Sequence, residues 1–384
     1  MVGGGFATAM TAPFELIYAT TFDIGPMGMF LFILSTFVGM IVIDVFGTRL
    51  VPHLEARIIL VSGILVFGLG CAVLGLAPDL TVLIAGRIIQ GFGAGLFMGA
   101  GLQAAVRVNP DEQVALGAFN SSFLFGSAFG APVGGLIAAT IPGGYRVTFV
   151  ACFVACAAVA AALWSSLPRL PAPEGRRPHI GLPQLTGPPG LRVAIVLAMT
   201  GDFIRGGVVY TALPLAGAER DLSPTTIGIA IGVLSAAEIL VLTRTAPILR
   251  RVGLMRCLVG ALALGIVCSA ALALTTGWLA FMLGSLLFGL VVAGTTVGPA
   301  LAIVALAGDA ASGLAMYRIA SGLGMLVGAT LVGVLASTSG TAIAFVLIGA
   351  VLVTGIALAL VVSRRLGGEP AGPPPSSAAS TTVH

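Results

Sequence analysis

From residue 2 onward, apolar runs of about 20 residues succeed one another almost without interruption, each long enough for a helix to cross the roughly 30 Å of bilayer hydrocarbon. No water is available there to satisfy a lone backbone amide, so such runs resolve as helices whose hydrogen bonds stay inside the segment. Charged residues make up only 8% of the chain and mean hydropathy is +1.12, whereas about a quarter of a soluble domain is charged. A soluble fold is excluded. Turn residues and charges divide the chain into twelve expected spans at 2–21, 26–48, 58–77, 80–105, 113–139, 147–166, 192–215, 225–248, 254–275, 278–306, 312–336 and 340–363.

Between the sixth and seventh spans, residues 167–191 are rich in proline and arginine and read as a solvent-exposed linker. Residues 364–384 end in a polar, proline- and serine-rich stretch that reads as a disordered tail. The expected units are thus a six-helix bundle at 1–166, the linker, a second bundle at 192–363 and the tail. The five cysteines, Cys71, Cys152, Cys156, Cys257 and Cys268, sit in apolar runs without ligand spacing, so free thiols are expected and no metal or other cofactor. The opening residues lack the basic region of a cleavable signal, and the first span starts so close to Met1 that the true start is expected slightly upstream.

Arginine supplies every basic side chain, because lysine is absent. Arg146 and Arg220 fall at odd-to-even junctions, whereas Arg49, Arg57, Arg107, Arg169, Arg176, Arg177, Arg192, Arg250, Arg251, Arg256, Arg364 and Arg365 fall on the opposite side. Cytoplasmic loops carry the positive excess. Both termini and the linker are therefore expected in the cytoplasm.

The two halves also match at an offset of 198. Asp23 and Pro26 correspond to Asp221 and Pro224, Gly86 and Gly91 to Gly284 and Gly289, and Gly126, Gly130 and Gly135 to Gly324, Gly328 and Gly333. Matched halves around a midplane site are a transporter architecture.

Residues 87–95 read RIIQGFGAG, 126–135 read GSAFGAPVGG and 143–149 read GGYRVTF. On these motifs the chain resembles the major facilitator superfamily over about residues 1–365. The first resembles the family's fourth-helix arginine motif. The second is similar to the fifth-helix signature of its drug–proton antiporters and exporters, with Pro132 and Gly135 at the expected spacing and Ala131 and Leu136 in place of glycines. In the loop after the second span, Pro52 and Glu55 stand where the family's motif has an acid and a glycine, and Arg250 takes the acid's place in the second half. The resemblance implies an all-α membrane protein of twelve transmembrane helices, built as two pseudo-symmetric six-helix bundles. It also implies packing of the second and eleventh helices across the bundle interface, with the first and fourth lining one side of a central cavity.

Ionisable residues within hydrocarbon are functional candidates. Four acids, Glu15, Asp44, Asp202 and Glu238, are set against four arginines, Arg87, Arg205, Arg244 and Arg318. At about 1.5 Å of rise per residue, Glu15 and Arg87 both lie roughly 10 Å below the outer surface; with the first and fourth helices lining one side of the cavity, as the resemblance implies, they are expected to form an ion pair in which Glu15 carries a proton and Arg87 stays charged. A static pair joining two helices is the alternative. Asp202 and Arg205 are three apart and share a helical face: they either neutralise each other, or Asp202 serves a proton or cationic substrate while Arg205 holds an anionic one. Gln90 and Tyr210 are further cavity candidates, and Glu238 is expected to face other helices. Asp44 and Arg318 are expected to bridge an inner gate or to reach the headgroups instead. Gly130 and Gly135 suit close helix packing, and Pro132 suits a kink at the interface between the halves.

The function expected from these features is proton-coupled export of small, partly apolar molecules by a monomer in the cytoplasmic membrane of a bacterium. Uptake or facilitated passage of a metabolite such as a sugar or organic anion is the alternative, with Arg87 and Arg205 on the substrate. A membrane-embedded enzyme or sensor is a remote reading, since no spanning segment carries a histidine or a nucleophile–base set. Nothing in the chain suggests a nucleic-acid partner or ATP as energy source.

Overall fold

The computed structural model describes residues 1–50, 55–108, 112–167, 189–307 and 310–366. Among them there are helices and turns and no strands. The helices are α1 (Val2–Ala9), α2 (Glu15–Thr20), α3 (Gly25–Leu50), α4 (Ala56–Gly75), α5 (Leu80–Val108), α6 (Glu112–Thr140), α7 (Gly144–Ser166) and α8 (Pro189–Ile204). A π-helical segment (Arg205–Ala212) follows, then α9 (Leu213–Glu219), α10 (Pro224–Leu242), α11 (Thr245–Val252), α12 (Leu254–Leu274), α13 (Trp278–Ala307), α14 (Ala310–Ser339) and α15 (Thr341–Leu366). Eleven segments are long and apolar enough to cross a membrane, with Pro189–Glu219 counted as one. Residues 2–20, split into α1 and α2, complete the twelve.

Four boundaries differ from expectation. The first span is not continuous: Pro13 has no amide hydrogen to return to the preceding turn, and residues 10–14 form turns between α1 and α2. The eighth span ends at Leu242, and α11 forms a separate short helix carrying Arg250 and Arg251 in its last turn. Arg244, counted above among the charges in hydrocarbon, is instead exposed at the N-cap of α11. Finally, α8 starts inside the expected linker at Pro189, a residue suited to a first helical turn, and α15 runs on to Leu366 in the expected tail; residues 168–188 and 367–384 lie outside the described residues.

Close glycine packing holds the bundles together, as expected where lipid supplies no hydrophobic drive between helices. The offset seen in the sequence recurs in the contacts. A Cβ on Gly86 would press on Leu74, and one on Gly284 would press on Leu272; Gly91 abuts the carbonyl of Thr36, and Gly289 that of Leu234. Gly126 and Gly130 lie on the α1 backbone at Val2 and Phe6, as Gly324 and Gly328 lie on α8 at Met199 and Phe203. The turns opening the second and eighth spans match as well, with Asp23 (φ 51°) and Asp221 (φ 52°) both in the left-handed region. These paired contacts are the two pseudo-symmetric six-helix bundles in physical form.

Between the halves, α6 packs on α10 and α14 on α3, the second and eleventh spans meeting as expected. Gly135 meets Pro224 and Thr225, Gly228 meets Ala131 and Pro132, and Gly333 meets Ile33. Gly91→Val should be strongly disruptive, because its branched side chain would enter the α3 backbone at Thr36. We expect a loss of about 1–3 kcal/mol or more from overpacking, measured as a lower thermal midpoint of the purified protein; an unchanged midpoint would contradict this packing.

Candidate functional site

The break in the first span delivers Glu15 to the first turn of α2, buried at 8% exposure. One turn of α5 supplies its partners. Arg87 makes an ion pair with Glu15 through Nη1 and Oε2, and the same Nη1 donates to Gln90 Oε1 at 2.6 Å. Gln90 Nε2 in turn donates to Glu15 Oε1 at 2.6 Å. The three side chains form a closed triangle. Thr11 donates to Glu15 Oε1 at 3.3 Å, Gln90 Nε2 also reaches Cys71 Sγ at 3.4 Å, and the guanidinium lies 4.8 Å from the centre of the Phe32 ring. Arg87 Nε is buried with no acceptor among the described residues. The amide of Gln90 bridges acid and base, so it orients both while carrying no charge itself.

A second cluster forms in the other half around Arg205, the first residue of the π-helical segment. Its Nη2 donates to Glu238 Oε1 at 2.5 Å and to Thr296 Oγ1 at 3.2 Å, and its Nη1 reaches Glu238 Oε2 at 3.4 Å. Asp202 is a looser partner, with Oδ1 3.8 Å from Arg205 Nε. Tyr317 donates to Asp202 Oδ2 at 3.5 Å. Two carboxylates thus share one guanidinium. Tyr210 lies on the same π-helical segment as Arg205.

The structure therefore brings Glu15, Arg87 and Gln90 together, and Asp202, Arg205 and Glu238 together. Glu238 faces its neighbouring helices as expected, and its cation is Arg205 rather than any arginine of its own helix. The Asp44 side chain lies outside the described residues. Arg318 is half-buried in α14 with its guanidinium beside Gly99 of α5. Gly130 packs within its own half, against Phe6, whereas Pro132 and Gly135 face α10 across the halves.

Sequence reasoning missed Thr11, Cys71, Thr296 and Tyr317. Only Thr11 carried a signal, lying one helical turn before Glu15. The cysteines are free, and Cys71 and Cys152 stand with their sulfurs 3.5 Å apart behind Gln90. No group of three or more metal-ligating side chains occurs among the described residues.

A family model described as Major Facilitator Superfamily matches residues 1–308. Two curated proteins of Mycobacterium tuberculosis, both described as probable multidrug-efflux transporters, are 30% identical over 144 residues, which cover 36% of this chain. The matched part spans only 31% of those relatives' length. Among solved structures, the nucleoside transporter NupG superposes with a TM-score of 0.74 at 10% identity, covering 94% of this chain and 98% of its own. A bacterial homologue of the human lysosomal transporter Spinster, inward-facing and unoccupied, gives 0.69 at 15% identity with 94% of each chain covered. The human organic anion transporter MFSD10 gives 0.61 at 16%, covering 93% of this chain and 97% of its own. At such identities the likeness to these structures concerns the fold.

Proposed function

The chain belongs to the major facilitator superfamily, and from that premise we propose that it is a proton-coupled exporter of small, partly apolar molecules in the cytoplasmic membrane. The observation that carries this reading is the charge count of the two clusters. Three buried carboxylates, Glu15, Asp202 and Glu238, are held by two guanidinium groups, the buried Arg87 and the partly buried Arg205. An unmatched negative charge in hydrocarbon is costly, and a proton relieves it. Arginine stays charged throughout, so the acids are the groups whose state changes.

In this mechanism Glu15 and Asp202 carry the protons. A proton on Glu15 loosens its hold on Arg87 and opens the triangle closed by Gln90. Arg205, Glu238, Gln90 and Tyr210 line the path of the substrate. The units 1–166 and 192–363, joined by the linker at 167–191, rock about the midplane. Pro132 and Gly135 seal one end against α10, and Asp44 with Arg318 closes the other. The protein works as a monomer with both termini in the cytoplasm, and it does no covalent chemistry on its substrate.

Export is favoured over uptake by the incomplete fifth-helix signature and by the partial likeness to efflux proteins. Direct binding of an organic anion would need a guanidinium to spare. Arg87 and Arg205 are both engaged by carboxylates, which supports a neutral or cationic substrate instead.

Proteoliposome flux under an imposed pH gradient tests the reading against a panel of lipophilic cations, neutral compounds and organic anions. Substrate movement opposite to the proton gradient is the expected result. Movement with the gradient, or flux indifferent to it, would replace the exporter with an importer or facilitator. A cysteine placed at Arg177 should react with impermeant thiol reagents from the cytoplasmic side alone; reaction from outside would invert the topology.

A further inference from the structure

At the elbow where α10 turns into α11, a cavity of about 410 Å³ is lined by Leu240, Val241, Ile248 and Pro247 together with Arg244 and Arg251. Ile248 and Arg251 are three apart and share one face of α11, and Arg244, the residue that caps this helix, lines the same cavity. Leu240 (56% exposed) and Val252 (44% exposed) lie on the surface beside them. The cavity is thus apolar along one wall and doubly cationic on the other. No acidic residue occurs between Glu238 and Asp309 in the sequence, and no ion pair to either arginine is found among the described residues.

One of these arginines is poorly placed for the fold itself. Arg251 sits in the last turn of α11, where a cation suits the negative end of the helix dipole. Arg244 is the N-cap of the same helix, has no capping hydrogen bond and brings a cation to the positive end. An anion bound between the two would answer both this mismatch and the missing counter-charge. The cavity lies at the end of α10, a segment long and apolar enough to cross a membrane, and the ends of such helices border the headgroup region.

We infer that this elbow binds an anionic phospholipid, its phosphate held between Arg244 and Arg251 and the upper part of an acyl chain lying along Leu240, Val241 and Ile248. Charge complementarity selects an anionic headgroup over a zwitterionic one, and the apolar wall selects a lipid over a soluble phosphate. The site is independent of what the protein transports. Arg244 lies six residues beyond Glu238, the acid of α10 that pairs with Arg205.

The test uses the full chain in a neutral detergent, titrated separately with dioleoylphosphatidylglycerol, dioleoylphosphatidylcholine and inorganic phosphate, with the thermal midpoint as readout. Phosphatidylglycerol alone should raise the midpoint. In R244Q/R251Q the half-saturating concentration should rise about 30-fold, from the loss of two surface cations facing one phosphate. R250Q, with the same charge change as a single variant but outside the cavity, should titrate like wild type, while R244Q and R251Q each lose part of the response. An equal response to phosphatidylcholine, an equal shift with phosphate alone, or a double variant that titrates like wild type would each overturn the proposal. So would R250Q losing as much as R244Q, since that would mean a diffuse field rather than a site.

Discussion

Glu15→Gln is expected to abolish pH-driven transport. Glutamine preserves the shape that Thr11, Arg87 and Gln90 surround, but it cannot take up and release a proton. It also leaves Arg87 as a buried cation without a counter-charge, and breaking a buried pair from one side costs about 3–5 kcal/mol. Two effects are thus combined in one variant, and a second variant separates them. In Glu15→Gln with Arg87→Gln both charges are gone, so the thermal midpoint should recover most of its loss while pH-driven flux stays absent. If the double variant recovers flux along with stability, the triangle is structural and the proton travels elsewhere. Wild-type flux in Glu15→Gln alone would remove Glu15 from coupling outright.

Replacing Arg205 by glutamine should be as damaging, for the opposite reason. Here the cation disappears, and Asp202 and Glu238 are left in one buried site without it. We expect a loss on the order of 3–5 kcal/mol together with loss of transport. Adding Glu238→Gln to this variant should restore part of the stability, because only one carboxylate then remains. Arg205→Lys should restore less than its charge suggests, since a single ammonium does not reproduce the fork that reaches both Glu238 and Thr296. A wild-type midpoint in Arg205→Gln, measured by thermal unfolding in detergent, would mean that the cluster is more hydrated than its burial indicates.

What could be read from the sequence divides along a physical line. Properties that depend on position along one helix were legible: the spans, their glycine spacing, and the common depth at which Glu15 and Arg87 meet. The offset of 198 was legible too, and it recurs in contacts as specific as Gly91 on Thr36 and Gly289 on Leu234. Properties that depend on how one helix is rotated against another were not. Glu238 and Arg205 are 33 residues apart on different helices, and a linear pattern carries no trace of their facing directions. The same holds for Cys71 and Cys152. The division of the first span was marked by Pro13, yet a proline inside an apolar run kinks some membrane helices and breaks others, depending on which neighbours satisfy the freed carbonyls. Arg244 falls at the end of an apolar run in the sequence; the turn that ends α10 there and exposes it belongs to the elbow, which hydropathy alone does not register.

The wide winding of the seventh span has an evolutionary corollary. A π-helical stretch accommodates one residue more than ordinary winding would over the same length, so residues 205–212 hold a spare position. Losing a single codon within Gly206–Val209 would let the stretch relax to α-helical pitch and leave α8 and α9 facing as they do now. The same loss inside α8 would swivel everything after it by about 100°. Length variation among descendants of this chain should therefore collect just beyond Arg205 and avoid the helix before it.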